Sequence, residues 1–181
     1  MERGFADTTT LEIATRARVS KRELYALVGN KDKMLALCIA SRGDRMRLPQ
    51  GFPEPTNKAT LEGALKTYGA TLLREMTDPA VLEAFRLGIA EAKRSPAVAR
   101  ALGERGRGPA NAALDALLKS ARAAKLLADA NIEEMAHDFR GLLWGNTMVW
   151  ILLGLEKAPT RNEIERRAEK AARRFLELYG R

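Results

Sequence analysis

Apolar residues recur along this chain at intervals of three and four, which is the spacing of one face of an α-helix. Leu82, Phe85 and Ile89 show this interval in the middle of the chain. No run of alternating apolar and polar residues stands out, so a β-sheet has little support. The pattern predicts an all-α protein with helices at 9–17, 20–28, 31–47, 57–76, 78–94, 96–105, 109–126, 132–155 and 160–179.

Two of the predicted helices, 9–17 and 20–28, are short and lie next to each other. Thr9 and Ser20 are each followed three residues later by a glutamate, the spacing of a capping box that satisfies free backbone N–H groups. Their apolar residues would share one seam: Ile13, Ala14 and Ala17 on the first helix, Leu24, Leu27 and Val28 on the second, and Val19 at the bend. This arrangement predicts a helix-turn-helix, whose second helix enters the major groove of DNA.

The polar face of the second short helix carries the candidate DNA contacts. Lys21 and Arg22 stand at its N-terminal end, where an arginine pairs with guanine O6 and N7 or with a phosphate. Tyr25 follows Lys21 by one turn and could bond the DNA backbone. Glu23 is interpreted first as half of the capping box and only second as a group that contacts a base.

The charge of the chain supports a polyanionic partner without identifying it. The net charge is +8, and residues 1–47 hold ten Lys and Arg against six Asp and Glu. Nucleic acid and an anionic membrane surface both fit this excess. Lys31 follows the capping residue Asn30 and opposes the helix dipole, so it either holds a phosphate or is simply offset by Asp32.

The remainder of the chain is expected to form a helical bundle, separated from the first unit by a proline-rich segment. Three prolines occur within LPQGFPEP, residues 48–55, and they forbid a continuous helix. We therefore predict a helix-turn-helix domain with its connecting helix at 1–47, a linker at 48–56 and an effector-binding and dimerisation domain at 57–181.

The bundle contains candidate ligand residues. A stripe of Phe139, Leu142, Asn146, Val149 and Leu153 is apolar except for its asparagine. Small-molecule sites combine apolar walls with a few polar anchors, although each of these residues could equally belong to a close-packed core. The pocket candidates are Phe85, Ile89, Phe139, Trp144, Asn146 and Met148.

A homodimer is expected because one short recognition helix contacts few base pairs, and two-fold symmetry doubles the site. Gly141 and Gly145 could allow two helices to approach closely, or could instead relieve crowding within one subunit. The candidate interface residues are Gly141, Gly145, Ile164, Ala168, Ala171, Phe175 and Leu178.

Catalytic, metal and membrane functions have little support. His137 and Cys38 are the only histidine and cysteine and fall in different predicted domains, so neither a catalytic pair nor a metal site is expected. The stretch GERGRG, residues 103–108, lacks the ending of a phosphate-binding loop. The longest apolar run, residues 142–155, has 14 residues and is too short for a bilayer. We expect a cytoplasmic protein that is not an enzyme and has no cofactor or metal.

The first segment of the chain resembles a known family. Residues 4–35, GFADTTTLEIATRARVSKRELYALVGNKDKML, are similar to the DNA-binding segment of TetR-type transcriptional regulators. The shared markers are Gly-Phe, a Thr-Thr cap, Glu-Ile-Ala, Val-Ser-Lys, Leu-Tyr and Asn-Lys, in that order. The resemblance implies that Thr9 and Thr10 contact the DNA backbone and that Lys31 holds a phosphate. It also implies a recognition helix lined by Ser20, Lys21, Arg22, Glu23, Tyr25 and Ala26.

The sequence differs from this family at three places. Arg18 replaces a glycine common in the turn, which costs about 1 kcal/mol if the backbone there is left-handed. Val28 replaces an aromatic residue. The family's first helix would precede Gly4, so residues before Met1 are expected in the natural protein, and without them Ile13, Leu24 and Val28 would be exposed.

Two segments of the bundle, residues 84–102 and 139–155, are similar to the C-terminal domain of the AefR-like subgroup of that family. The combined expectation is a homodimeric repressor that binds a DNA operator and is released by a small apolar effector. The alternative is a helical ligand-binding or interaction protein that has lost operator binding.

Overall fold

The structure is a computed structural model that describes residues 8–31, 33–35, 37, 41, 54–91 and 107–181. Within these ranges the regular elements are helices, and the extended pairing is a single bridge between Leu127 and Gly180. This confirms the predicted all-α fold class. The helices with both ends described are α1 (Thr10–Ala17), α2 (Lys21–Val28), α3 (Lys58–Met76), α4 (Pro79–Glu91), α5 (Arg107–Ala123), α6 (Ile132–Trp144), α7 (Thr147–Leu152) and α8 (Arg161–Tyr179).

Some of the predicted elements cannot be compared along their full length. The predicted helix at 96–105 lies outside the described residues, as do 48–53 of the predicted linker and 92–94 of the helix predicted at 78–94. Of the helix predicted at 31–47, the described positions 31, 33–35, 37 and 41 are all helical. The domain boundaries therefore stay predictions.

The helix predicted at 132–155 is wrong as one continuous element. It ends at Trp144, and a second helix begins at Thr147. Gly145 has φ 49° and ψ −130°, a conformation that side chains with a Cβ rarely adopt, so the glycine stops α6. Because the direction changes here, the predicted stripe from Phe139 to Leu153 is not one helix face.

The core of the bundle forms where α3, α6 and α8 pack together. Tyr68, Phe139 and Phe175 come one from each helix, and all three are almost completely buried. The ring centroids of Tyr68 and Phe139 lie 6.0 Å apart, and those of Phe139 and Phe175 lie 5.5 Å apart in an edge-to-face pair. The Tyr68 hydroxyl donates to the carbonyl oxygen of Ala110 at 3.2 Å, which ties α3 to α5.

The C-terminal end of α8 is held by the loop that follows α5. The Ala128 N–H donates to the Tyr179 carbonyl at 2.8 Å, and the Arg181 N–H donates to the Leu126 carbonyl at 3.1 Å. These bonds close the bundle at one end. In the part of the chain that the structure describes, no helix is both long enough and apolar enough to cross a membrane.

Candidate nucleic-acid interface and ligand cavity

Both helices of the helix-turn-helix begin with the predicted capping boxes. The Glu12 N–H donates to Thr9 Oγ1 at 3.2 Å, and the Thr9 N–H donates to a Glu12 carboxylate oxygen at 2.7 Å. Ser20 and Glu23 make the same reciprocal pair at 3.1 Å and 2.8 Å. Each cap satisfies N–H groups that the first turn of a helix leaves free, so the start of both helices is fixed.

The turn between α1 and α2 passes through Arg18, whose backbone is left-handed with φ 56° and ψ 38°. The Arg18 N–H donates to the Thr15 carbonyl at 3.2 Å, and the Val19 N–H donates to the Ala14 carbonyl at 3.1 Å. The left-handed residue ends α1 and redirects the chain into α2. An arginine therefore occupies a position whose conformation favours glycine, as the difference from the family pattern implied.

The inner face of the pair is apolar, but two of the residues predicted on it, Ala17 and Leu27, are wrong because both are exposed. Ala14 and Leu24 are buried, and Ile13 and Val28 are half-buried. The expected exposure of Ile13, Leu24 and Val28 is therefore wrong, since α1 and α2 pack against each other and cover this seam. The large apolar side chains of these helices that do lie open are Leu11 and Leu27.

The outer face of α2 presents the predicted DNA contacts to solvent. Lys21, Arg22, Tyr25 and Ala26 are all exposed. The Lys21 ammonium lies 5.9 Å from the centroid of the Tyr25 ring, within the range of a cation–π contact. The Tyr25 hydroxyl in turn lies 3.5 Å from the Thr10 hydroxyl, so α1 and α2 share one polar surface.

The Glu23 carboxylate is engaged by the helix cap. Hydrogen bonds from the Ser20 backbone and side chain lower the pKa of Glu23, because they stabilise its ionised form. The charge also lies in the first turn of α2, where the helix dipole favours an anion. Glu23 therefore fixes the recognition helix rather than offering a free carboxylate to a base.

The segment after α2 leads directly into another helix. Gly29 has φ 79°, and the Asn30 side chain accepts from the Lys33 N–H at 2.9 Å, which caps the next helix. Lys31 is helical and half-buried in the first turn after this cap. Its place in the first turn of this helix, where the helix dipole favours an anion, is the place predicted for a phosphate contact, and that contact stays a prediction.

A cavity of about 370 Å³ lies among α3, α4, α5, α6 and α7. Three of the predicted pocket residues, Phe85, Trp144 and Met148, line it. Its other lining residues are Leu72, Met76, Ala110, Asn111, His137, Arg140, Gly141 and Leu152. The walls are thus largely apolar, with a polar edge formed by α5 and α6.

Comparison with known protein families identifies the class of protein to which this surface and this cavity belong. Residues 63–181 match the family described as AefR-like transcriptional repressor, C-terminal domain, and residues 1–38 match bacterial regulatory proteins of the tetR family. The chain belongs to the TetR family. The resemblance seen in the sequence is confirmed, and the protein is a transcriptional regulator with a helix-turn-helix DNA-binding domain.

Solved structures of TetR-family regulators match nearly the whole chain. A TetR transcriptional regulator from Agrobacterium tumefaciens is 30% identical with a TM-score of 0.80, covering 95% of this chain and 84% of its own. The flavonoid-responsive regulator FrrA is 30% identical with a TM-score of 0.74, covering 99% and 90%. A putative TetR-family regulator from Mesorhizobium loti, at 24% identity and a TM-score of 0.81 with 99% and 90% coverage, shows the shared fold. No curated protein matches.

The other three predicted pocket residues of this TetR-family chain lie away from the cavity. Phe139 is fully buried in the aromatic core, and Ile89 is 64% exposed on α4. Asn146 is exposed in the bend before α7, because the break at Gly145 turns it away from the face of α6. Sequence reasoning missed the polar edge, although His137, Arg140 and Trp144 follow one another at helical intervals of three and four.

Four of the predicted dimer residues of this TetR-family subunit belong to its own core. Ile164, Ala168, Ala171 and Phe175 are at most 5% exposed, because they form the face of α8 that packs on α3 and α6. They cannot also cover a partner, so they are removed from the candidate interface. Gly141, Gly145 and Leu178 are exposed and stay candidates.

The break between α6 and α7 also leaves apolar side chains in solvent. We call these residues the apolar patch; they are Leu142, Val149, Trp150 and Leu153, with exposures of 40%, 55%, 40% and 63%. Four large apolar side chains at this exposure within residues 142–153 are typical of a segment that another protein covers. The apolar patch lies in the same stretch of chain as Gly141 and Gly145, and it joins them and Leu178 as a candidate interface.

Proposed function

We propose that this TetR-family regulator is a repressor that binds its operator as a homodimer and leaves it when a small, largely apolar effector occupies the cavity. The observation that carries the proposal is the outer face of α2, where Lys21, Arg22 and Tyr25 stand exposed on a helix whose start is fixed by a capping box. The protein would act in the cytoplasm and without a catalytic step.

The proposed DNA contacts divide into two kinds. Arg22 and Lys21, at the N-terminal end of α2, would contact base edges or phosphates in the major groove. Tyr25, Thr10 and Lys31 would bond the DNA backbone and set the register of the helix on the duplex. The cationic contacts make the affinity fall steeply with salt, since each one releases a condensed counterion.

The proposed dimer buries the apolar patch. A second copy of the chain is the occupant that fits best, because a two-fold contact pairs the same apolar surface of both subunits. A dimer would hold the two recognition helices about one DNA turn apart, roughly 34 Å, which suits successive major grooves.

The proposed effector is small and largely apolar because the walls of the cavity are. The described relative FrrA is flavonoid-responsive, which supports a compound with a planar apolar body for this chain as well. Phe85 and Trp144 offer two aromatic side chains to such a body. A volume of about 370 Å³ lies within the range of small-molecule sites, roughly 300–1,000 Å³.

Arg86 links the cavity wall on α4 to α7. Its side chain donates to the carbonyl oxygen of Leu152 at 3.0 Å and to that of Ile151 at 2.9 Å, and it forms an ion pair with Glu83. Met148 lines the cavity and Trp150 belongs to the apolar patch, and both lie on α7. An effector that contacts Met148 would therefore act on the proposed interface through α7. A ligand that favours another separation of the recognition helices weakens DNA binding by the same factor that DNA weakens ligand binding.

Fluorescence anisotropy with the promoter next to the protein's own gene tests the proposal. We expect specific binding that Lys21→Ala and Tyr25→Ala each weaken roughly tenfold, a loss of one charge-assisted or polar contact. Lys170→Ala is the matched control, because Lys170 is an exposed lysine on α8 and should leave the affinity unchanged. Equal affinity for promoter and random DNA would instead favour the alternative, a helical ligand-binding or interaction protein without an operator.

A further inference from the structure

One arginine lies at the polar edge of the cavity, on the same face of α6 as Trp144. Arg140 is half-buried and lines the cavity together with His137 and Asn111. It also lines a second cavity of about 370 Å³, whose other walls include Asp115 and Lys119. Arg140 and Asn111 therefore stand at the boundary between an apolar chamber and a polar one.

The charge of Arg140 has no direct partner in the part of the chain that the structure describes. Among the residues that the structure describes, no hydrogen bond or ion pair involves its guanidinium, whereas Arg86 in the same cavity region makes both. Taking a cation partly out of water is costly unless an anion or acceptors face it. Arg140 also opposes the rise in the pKa of the buried Tyr68 hydroxyl, so its charge acts on the interior of the bundle.

From the position of Arg140 at the edge of the cavity, and from its lack of a partner, we infer that it selects a carboxylic acid whose aromatic body occupies the apolar chamber. The planar guanidinium matches a carboxylate in a bidentate pair, which is stronger and more directional than a bond to a neutral group. Phe85, Trp144 and Met148 would cover the body, while His137 and Asn111 supply further polar contacts at the edge. This rests on the proposed function, in which the cavity is the effector site, and it narrows the effector to an aromatic acid.

The test compares two probes that differ in charge and little in shape. Isothermal titration of the full chain with 2-naphthoate and with neutral 2-naphthamide measures the preference for the anion. We expect the wild-type protein to bind the naphthoate about tenfold more tightly. This comparison requires no variant, so it holds even if a substitution in the cavity disturbs folding.

Variants then assign the preference to one side chain. Arg140→Met should reduce the preference for naphthoate to about twofold or less. Arg140→Lys should restore part of it, because lysine keeps the charge but cannot make the two parallel hydrogen bonds of a guanidinium. Arg166→Met, an exposed arginine on α8, removes the same charge and should keep the full preference. Circular dichroism of each variant checks that it is folded.

Equal affinity for the two probes, no saturable binding of naphthoate, or a full preference in folded Arg140→Met would each overturn the inference. The titration contains no DNA, so its outcome is independent of operator binding. If naphthoate binds through Arg140 but the protein remains bound to its operator, that result counts against the cavity as the effector site. It does not count against the selectivity of the cavity for a carboxylate.

Discussion

The hydroxyl groups of Thr10 and Tyr25 lie 3.5 Å apart, and this pair joins the first turn of α1 to the outer face of α2. Tyr25→Phe removes one hydroxyl and leaves the ring against Lys21. We expect operator affinity to fall about threefold to tenfold, because a backbone contact is lost, while the stability of the fold changes little since the ring is 44% exposed.

Anisotropy titrations at two salt concentrations separate this role from that of Lys21. Tyr25→Phe should leave the slope of log affinity against log salt unchanged, and Lys21→Ala should reduce it by about one counterion. A wild-type affinity in Tyr25→Phe would remove the hydroxyl from the DNA contacts.

The left-handed turn at Arg18 gives a prediction about stability. Arg18→Gly should raise the free energy of unfolding by about 1 kcal/mol, because glycine adopts φ 56° without the steric cost of a Cβ. Arg18→Ala is the control: it removes the same charge and keeps the Cβ, so it should not stabilise the protein. Urea unfolding followed by circular dichroism measures both. Equal effects of the two substitutions would point to the charge instead of the backbone.

The local signals in the sequence predicted the helix-turn-helix well. Thr9 and Ser20 each form the capping box that their spacing indicated, because a capping box depends only on residues three positions apart. The non-glycine residue in the turn, Arg18, can be recognised from the sequence for the same reason, since the turn is also a local feature. Whether a side chain contacts DNA depends on a partner that neither the sequence nor the structure contains, so these residues stay predictions.

The site in the bundle was predicted less completely because it depends on which helix faces meet. The sequence predicts one long helix in which Gly145 either allows two helices to approach closely or relieves crowding, and the positive φ of Gly145 instead divides that helix into two. Phe139 and Ala168 have the spacing of an apolar face, yet spacing does not distinguish a subunit's own core from an interface. Arg140 lines the cavity but does not belong to an apolar stripe, so the sequence pattern did not indicate it as a pocket residue.

The Tyr68 hydroxyl makes the bundle sensitive to alkaline pH. Burial raises the pKa of Tyr68 to about 12, since the ionised phenol would lose its hydration inside the bundle. The folded-state pKa is above the ordinary value of 10.0, so the stabilisation is complete below about pH 10 and is lost as pH rises toward 12. Within this window the free energy of unfolding should fall by about 1.4 kcal/mol per pH unit from this group.

Tyr68→Phe isolates that contribution. At neutral pH the variant should be about 1 kcal/mol less stable, because the Ala110 carbonyl loses its donor. Above pH 10 the difference should shrink and then reverse, since phenylalanine has no proton to lose. Tyr25→Phe, at an exposed tyrosine, serves as the control. Parallel stability curves for wild type and Tyr68→Phe from pH 8 to pH 11 would contradict the assignment.

Two glycines one helical turn apart should respond to alanine with opposite signs. Gly145 has φ 49° and ψ −130°, which only glycine adopts readily, so Gly145→Ala should cost about 2 kcal/mol. Gly141 is helical, and alanine there should gain about 0.5–1 kcal/mol from reduced chain entropy. An added Cβ meets no atom within 4 Å at either position, so in the monomer the backbone alone sets the sign.

The measurement is urea unfolding of both variants at one protein concentration, because a dimer makes apparent stability depend on concentration. Gly145→Ala should also weaken binding of 2-naphthoate, since Trp144 and Met148 enter the cavity from the two sides of the bend. Gly141 lines the cavity as well, so a loss of ligand in Gly141→Ala without a loss of stability would indicate crowding of the site by the new methyl group. Destabilisation of both variants to the same degree would mean that the bend at Gly145 is not held by its backbone conformation.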